Sequence, residues 1–184
     1  MAVTPISRFK QASPQKLLKG DVLVSTRPHT SHGGAVTATA YLPLSRAEVW
    51  RQLTTYSRWT EFFPDICHSE VVEELSTTRK RLFQAARKTF LMLNVEVEIQ
   101  LCAHEMTERA IVFEMESPSG SFEDFSAELQ LQDLNQGTQI SYSVQATSKI
   151  PIPSLFVEQA MKLDLPMNMR HLREALLSRA AVAA

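Results

Sequence analysis

Alternation of apolar and polar residues dominates the middle of the chain. From residue 67 the period is two for about eighty residues, and it is clearest in Leu93–Leu101, where odd positions are apolar and even positions polar. The rows Phe125–Leu131 and Ile140–Ala146 repeat it. Because successive side chains of a strand point to opposite faces, the pattern predicts a sheet with one buried face. The predicted strands of this sheet are 67–74, 80–90, 93–102, 109–116, 122–132 and 138–147.

The residues before this sheet predict an edge strand, one main strand and two short helices. Gly20–Val24 is a candidate edge strand, and the alternating, β-branched run 35–42 is the main strand, ended by Pro43. Ser45 and Glu48 form a capping-box pattern, which predicts a helix start. A second short helix is predicted to carry the aromatic residues between Tyr56 and Phe63 and to end at Pro64.

The last thirty or so residues show helical instead of strand periodicity. Apolar residues recur there at helical spacing, in the order Val157, Met161, Leu165, Met169, Leu172 and Leu176. The stripe predicts a long C-terminal helix that covers the apolar face of the sheet. Pro166 lies inside it and is expected to bend or break the helix, because proline lacks an N–H and would free the carbonyl of Lys162.

Length and charge narrow the classes of protein. A chain of 184 residues fits one domain, here residues 19–180 behind a flexible arm at 1–18. A net charge of −1 excludes a globally basic nucleic-acid binder, so no nucleic-acid partner is expected. The five glycines form neither GxGxxG nor a Walker pattern, which argues against a nucleotide cofactor. Gly120 and Gly137 are predicted to mark turns between neighbouring strands of the sheet. No run approaches the roughly 18 apolar residues of a membrane span. Cys67 and Cys102 are expected to be reduced thiols of a cytoplasmic protein.

Three stretches of the chain resemble a known superfamily. They are YLPLSRAEVWRQLTTYSRWTEFFPDICHSEVV, GSFEDFSAELQLQD and GTQISYSVQATSKIPIPSLFVEQAMKLDLPMNMRHL, within residues 35–176. They are similar to the START/Bet v 1-like (SRPBCC) superfamily, and within it to the polyketide cyclase/dehydrase and lipid-transport family with its coenzyme-Q-binding and cyanobacterial members. The resemblance implies an α+β helix-grip fold. In that fold a curved antiparallel sheet of about seven strands wraps around a long C-terminal helix, and two short helices follow the first main strand.

The resemblance also implies a function without a cofactor or metal. It indicates a carrier that binds a hydrophobic small molecule, a lipid or an isoprenoid quinone, in a cavity between sheet and C-terminal helix. The quinone-binding branch has Phe-Leu-Pro-Trp-Cys where this chain has Phe63-Pro64-Asp65-Ile66-Cys67, so both ligand classes stay open. The alternative is a polyketide cyclase, aromatase or dehydratase that acts in the same cavity. An assembly factor that uses the fold as a docking surface is a third possibility.

Large apolar side chains are the candidate lining of this cavity. The aromatic residues near the short helices could form a lid over a ligand, or could simply pack the helices onto the sheet. Methionines on the long helix suit a surface that adapts to variable apolar ligands. The predicted lining residues are Tyr56, Trp59, Phe62, Phe63, Phe83, Phe113, Phe125, Tyr142, Phe156, Met161, Leu165 and Met169.

Catalytic and metal-binding patterns are weak. Cys67 and His68 are adjacent on a strand and so point to opposite faces. Cys102 and His104 share a face, but two ligands are fewer than the three or four protein ligands of a zinc site. The same count applies to His29 and His32 in a predicted loop.

Some other polar residues are candidates for acid–base chemistry in the cavity or for contact with a membrane. Asp124, with Glu123, begins a strand where a carboxylate could reach the cavity. Under the enzyme alternative, the groups expected to project into the pocket are Tyr142, Gln84 or Arg87. Arg170 and Arg173, with the N-terminal lysines, could favour peripheral contact with an anionic membrane.

Overall fold

The computed structural model describes residues 13–90, 93–116, 122–149 and 154–182, without the side chains of 88–95, 148, 154–160 and 180–182. These ranges contain four helices and eight strands, and a single 3-10 turn, Tyr56–Arg58, precedes the third helix. The helices are α1 (Pro14–Leu18), α2 (Arg46–Leu53), α3 (Trp59–Phe62) and α4 (Ser154–Val182). The strands are β1 (Leu23–Pro28), β2 (Gly33–Leu42), β3 (Ile66–Ser76), β4 (Arg79–Phe90), β5 (Leu93–Met106), β6 (Ala110–Met115), β7 (Phe122–Leu134) and β8 (Gly137–Ser148).

All eight strands form one antiparallel sheet in the order β1-β2-β8-β7-β6-β5-β4-β3. Strands β3 to β8 pair consecutively, as expected for strands joined by short turns. Strand β2 instead pairs with β8, so the first main strand lies beside the last one. The predicted α+β helix-grip class is confirmed, with eight strands where about seven were expected. The edge strand begins at Leu23 instead of Gly20 and extends to Pro28.

Helix α4 lies against the apolar face of the curved sheet and contacts β2, β1 and α3. The C-terminal half of its predicted stripe is fully packed, since Met169, Leu172 and Leu176 are completely buried. Of the bend or break predicted at Pro166, the break does not occur, because the helix continues through this residue. None of the described helices is long and apolar enough to span a bilayer.

Side-chain hydrogen bonds fix both ends of α2. The Ser45 hydroxyl accepts a hydrogen bond from the Glu48 amide at 3.3 Å, which confirms the predicted helix start. At the other end of α2, the Gln52 side chain donates to the Leu176 carbonyl of α4 at 3.5 Å. The helical segment between Arg46 and Phe62 is thereby anchored to the C-terminal helix.

Two local features differ from the sequence prediction. Residues 14–18, predicted to belong to a flexible arm, form α1, whose Leu17 is fully buried; residues 1–12 lie outside the described part of the chain. Gly137 begins β8, and the turn before it contains Asn135 at φ 55°. Glycine is required at 137 because a side-chain carbon there would clash with the Leu42 carbonyl. Gly120, the other glycine predicted to mark a turn of this sheet, lies outside the described residues.

Candidate ligand-binding cavity

A partly open cavity of about 330 Å³ lies between the sheet and the N-terminal half of α4. Its wall is formed by residues of β2, the segment after α3, the start of β3, β4, β5, β7, β8 and α4. Twelve of its seventeen described lining residues are apolar. These twelve are Val36, Phe63, Ile66, Ala86, Val97, Ile99, Phe122, Phe125, Val144, Ala146, Met161 and Leu165.

Strand register brings most of these side chains to one face. Gln84 is paired with Ile99 across β4 and β5, and two residues further along Ala86 is paired with Val97. Val36 and Val144 are partners in the same way across β2 and β8. Since partners in an antiparallel pair project to the same side, alternate residues of distant strands line the cavity together.

A bulge in β7 adds an aromatic pair to the wall. Phe122 and Phe125 are three residues apart, a spacing that would place them on opposite faces of a regular strand. The pairing with β8 shifts between Phe122 and Asp124, and this irregularity lets both rings face the cavity. Their ring centroids are 5.7 Å apart.

Helix α4 contributes residues from one of its faces to the cavity wall. Met161, Asp164, Leu165 and Asn168 are spaced by three, four and seven residues and therefore lie on the same side of the helix. The same face continues as the packed stripe from Met169 to Leu176. The helix thus fills the groove of the sheet at its C-terminal end and leaves the cavity at its N-terminal end.

Five lining residues carry polar groups: Asp65, Gln84, Tyr142, Asp164 and Asn168. The Gln84 amide donates to the Ser69 hydroxyl at 3.1 Å, and both side chains are buried. Asp65 and Asp164 each interact with other groups of the protein. A carboxylate on the segment after α3 and another on α4 therefore accompany the apolar wall.

The Tyr142 hydroxyl stands apart from the other polar groups. Its residue is only 9% exposed, and within the described part of the chain no group forms a hydrogen bond with the hydroxyl. Every described side-chain oxygen or nitrogen that is inaccessible to solvent has a hydrogen-bond partner. Because the Tyr142 oxygen has no partner, it must be accessible, and it reaches the open volume of the cavity. Burial raises the pKa of Tyr142 well above its usual range, because the phenolate would be poorly solvated. Tyr142 is therefore a neutral hydrogen-bonding group.

The aromatic residues near the short helices form a packed cluster, not a lid. Tyr56, Trp59 and Phe62 are almost completely buried in the core and lie outside the cavity wall. The Trp59 ring contacts Phe113 at 4.9 Å, and its indole N–H donates to the Leu53 carbonyl at 2.9 Å. Of the four predicted lid residues only Phe63 lines the cavity.

The other predicted lining residues divide in the same way. Five of the twelve line the cavity, namely Phe63, Phe125, Tyr142, Met161 and Leu165. Phe113 and Met169 are core residues. Phe83 lies on the opposite row of β4 from Leu82 and Gln84, with its ring 5.7 Å from that of His68. Phe156 lies outside the residues whose side chains the structure describes.

The sequence prediction missed most of the polar part of the wall. Gln84 is predicted to enter the pocket only under the enzyme alternative, and Asp65, Asp164 and Asn168 are not among the predicted lining residues. A helical projection would have revealed Asp164 and Asn168, because they flank Leu165 on the face of the predicted stripe. Asp65 lies in an irregular segment where no periodicity applies.

Several polar candidates from the sequence lie away from the cavity. Asp124 is hydrogen-bonded to His29, with 2.9 Å between the carboxylate oxygen and the ring nitrogen, and does not line the pocket. Arg87 is exposed and pairs with Glu96 at 3.2 Å.

The candidate metal ligands do not assemble into a site among the described residues. Cys102 Sγ is 3.5 Å from His104 Nε2 and accepts from the Arg79 guanidinium at 3.6 Å. Within that part of the chain no three Cys, His, Asp or Glu side chains are arranged to hold a metal ion.

Comparisons with known proteins agree with this architecture. The family model described as polyketide cyclase/dehydrase and lipid transport matches residues 42–173. A Thermus thermophilus protein has a similar structure, with a TM-score of 0.68 and 19% identity over 79% of this chain and 98% of that one. No curated protein sequence matches the chain.

Two further solved structures are similar in fold. The Zhui aromatase/cyclase of a Streptomyces species has a TM-score of 0.64 and 14% identity, over 82% of this chain and 94% of that one. A STAR-related lipid transfer protein fragment from Xanthomonas axonopodis has a TM-score of 0.58 and 14% identity, over 83% of this chain and 98% of that one. At these identities the likeness concerns the fold.

Proposed function

This chain belongs to the polyketide cyclase/dehydrase and lipid transport family, and from that premise we propose that it binds and carries a hydrophobic small molecule, a lipid or an isoprenoid quinone. The observation that carries the proposal is the apolar wall of a preformed cavity that no described side chain fills. Each methylene group transferred from water into such a site contributes about 0.8 kcal/mol. An apolar ligand is thus retained without a charged anchor.

The volume of the cavity limits which part of a ligand enters it. A volume of about 330 Å³ lies at the lower end of the range of roughly 300–1,000 Å³ that is typical of small-molecule sites. A compact ring system fits this space. A long prenyl or acyl tail is longer and would extend through the open side of the cavity.

The binding proposal is tested by narrowing the cavity. Ala146 lies in the wall, opposite Phe125 in the register of β7 and β8. Ala146→Phe should weaken the binding of a hydrophobic fluorescent probe by about tenfold or more, equivalent to at least about 1.4 kcal/mol. Val72→Phe is the matched control, because Val72 is exposed on the edge strand β3. Equal binding by both variants and the wild type would contradict the proposal.

Peripheral contact with a membrane forms the second part of the proposal. On α4, Leu163 and Met167 are one turn apart and are 74% and 51% exposed. Lys162 and Arg170 on the same helix are also exposed. Apolar side chains flanked by cations suit the surface of an anionic bilayer. Arg173, which was expected to contribute, instead donates to the Tyr41 carbonyl at 3.2 Å.

Sedimentation with vesicles tests this contact. Leu163→Ser combined with Met167→Ser should reduce the fraction bound to phosphatidylcholine/phosphatidylglycerol vesicles severalfold, because insertion of apolar side chains is lost. Met106→Ser is the control, since Met106 is similarly exposed at the end of β5. An unchanged bound fraction in the double variant would rule out this surface.

An enzyme of the cyclase, aromatase or dehydratase type is the second candidate. The carboxylates of Asp65 and Asp164 in the wall favour it, because general acid–base chemistry needs such groups beside the substrate. Turnover of a poly-carbonyl thioester mimic, followed by mass spectrometry, tests this candidate. Asp164→Asn should abolish product formation while Met106→Ser leaves it unchanged; no product from the wild type would count against an enzyme.

A further inference from the structure

Tyr142 is held rigidly at the boundary between the packed core and the cavity. Its ring is 5.5 Å from that of Phe63 and 6.5 Å from that of Trp59, centroid to centroid. Its strand position pairs it with Ala38 on β2 and Leu129 on β7, which are both fully buried. The orientation of the phenol is therefore fixed before any ligand binds.

The polar atoms of neighbouring aromatic side chains are satisfied inside the protein. The Tyr56 hydroxyl donates to a Glu105 carboxylate oxygen at 2.8 Å, and the Trp59 N–H donates to the Leu53 carbonyl at 2.9 Å. Within the described part of the chain, the Tyr142 hydroxyl makes no such bond although its residue is more than nine-tenths buried. A ligand that covers this hydroxyl without supplying an acceptor removes its access to water and leaves the donor unpaired, so a ligand that supplies an acceptor is favoured.

We propose that the Tyr142 hydroxyl donates a hydrogen bond to a carbonyl oxygen of the bound molecule, and that it selects carbonyl-bearing cargo over a hydrocarbon of the same shape. This inference rests on the proposed binding function and names the ligand chemistry that the site recognises. The raised pKa of Tyr142 keeps the phenol protonated, and thus a donor, across the physiological range.

The rest of the wall favours a neutral acceptor over an anion. None of the seventeen described lining residues is Lys, Arg or His. A carboxylate or phosphate head group would lose its hydration there without a cation from these residues. A ketone or quinone oxygen requires only the donor that Tyr142 provides. The size of the cavity also suits a compact ring that bears such an oxygen.

Two probes that differ only in carbonyl oxygens test the proposal. They are 2-methyl-1,4-naphthoquinone and 2-methylnaphthalene, titrated into the full chain and followed by quenching of tryptophan fluorescence. The wild type should bind the quinone about fivefold to tenfold more tightly than the hydrocarbon, the effect of one hydrogen bond. Tyr142→Phe should remove this preference and leave the affinity for the hydrocarbon unchanged. Tyr41→Phe is the control, because Tyr41 lies outside the described cavity wall.

Infrared spectroscopy gives a readout that a purely structural role would not change. Binding to the wild type should shift a quinone carbonyl band to lower wavenumber, and the shift should disappear in Tyr142→Phe. Melting curves of each variant show whether the fold is retained. An equal loss of affinity for both probes in Tyr142→Phe, or an unchanged preference, would overturn the inference while leaving the binding function intact. Failure of both probes to bind the wild type would contradict the inference and the proposed function together.

Discussion

At the scale of single residues, Trp59 and Tyr142 show that burial alone does not separate core from cavity wall. Both side chains are more than nine-tenths buried and their rings are in contact. The difference lies in their polar atoms, because the Trp59 N–H has a backbone partner and the Tyr142 hydroxyl reaches open volume. The sequence predicts that both are inside the fold, but it contains no information about which polar atom is partnered.

Substitution of Trp59 should therefore affect stability and not binding. Trp59→Phe removes the hydrogen bond to Leu53 and leaves a small void against Phe113. We expect a loss of about 2 kcal/mol in the free energy of unfolding. Urea denaturation measures this loss, and the affinity for a hydrophobic probe should stay unchanged. A large loss of affinity in a folded variant would show that the aromatic cluster belongs to the binding site after all.

Two buried tyrosines predict a loss of stability at alkaline pH. Burial, with the neighbouring Glu105 carboxylate in the case of Tyr56, raises the pKa of Tyr56 and of Tyr142 above the usual value near 10. In the unfolded chain both phenols lose their protons near pH 10, whereas in the folded chain they keep them. The free energy of unfolding should therefore be independent of these groups below about pH 10 and fall above it.

Tyr142→Phe isolates one of the two contributions. Once the unfolded phenol is fully ionised, each proton that the folded chain retains makes the free energy of unfolding fall by about 1.4 kcal/mol per pH unit. Between pH 10 and 11 the unfolded phenol is on average about three-quarters ionised, so the slope of the variant should be less steep than that of the wild type by about 1 kcal/mol per pH unit. Urea denaturation at several pH values measures both slopes. Identical slopes would mean that the Tyr142 phenol ionises as readily in the folded chain as in the unfolded one.

Phe83 illustrates where residue-level prediction failed. In β4 the row that contains Phe83 also contains Ala85 and Arg87, and the opposite row contains Leu82, Gln84 and Ala86. Both rows mix apolar and polar side chains, so alternation does not determine which one faces the core. The structure buries Leu82 and Gln84 and leaves Phe83 beside His68 on the other face.

At the scale of elements, regular periodicity was predictable and its interruptions were not. The alternation of apolar and polar residues predicted the bounds of β5, β7 and β8 to within a few residues of the observed ones. The bulge in β7 places Phe122 in the cavity wall, although its spacing from Phe125 indicates the opposite face. A bulge depends on the pairing with a neighbouring strand, and a single strand sequence does not encode that pairing.

Pro166 gives an element-level prediction for α4. The proline lies within a continuous helix, where it removes one backbone hydrogen bond. Pro166→Ala should restore that bond to the Lys162 carbonyl and increase the free energy of unfolding by about 1–3 kcal/mol. Denaturant titration checks this, and helix content measured by circular dichroism should not fall. Reduced stability would instead show that the geometry at the proline is required for packing α4 against the sheet.

At the scale of the whole molecule, the order of the elements and the resemblance to known relatives were sufficient for the fold. A strand, short helices, an antiparallel meander and a final amphipathic helix leave few arrangements in which one helix covers one apolar face. The position of the cavity was not predictable in the same way. Its wall combines residues from Val36 to Asn168, and its polar groups come from segments that meet only after folding.

Cavity occupancy is the central claim, and native mass spectrometry of the protein isolated gently from its own cells tests it most directly. The account predicts one neutral, carbonyl-bearing small molecule per chain. The adduct should be recovered by solvent extraction, lost in Ala146→Phe and retained in Val72→Phe. A chain that carries no adduct, and that takes up neither 2-methyl-1,4-naphthoquinone nor 2-methylnaphthalene when they are supplied, would contradict the account.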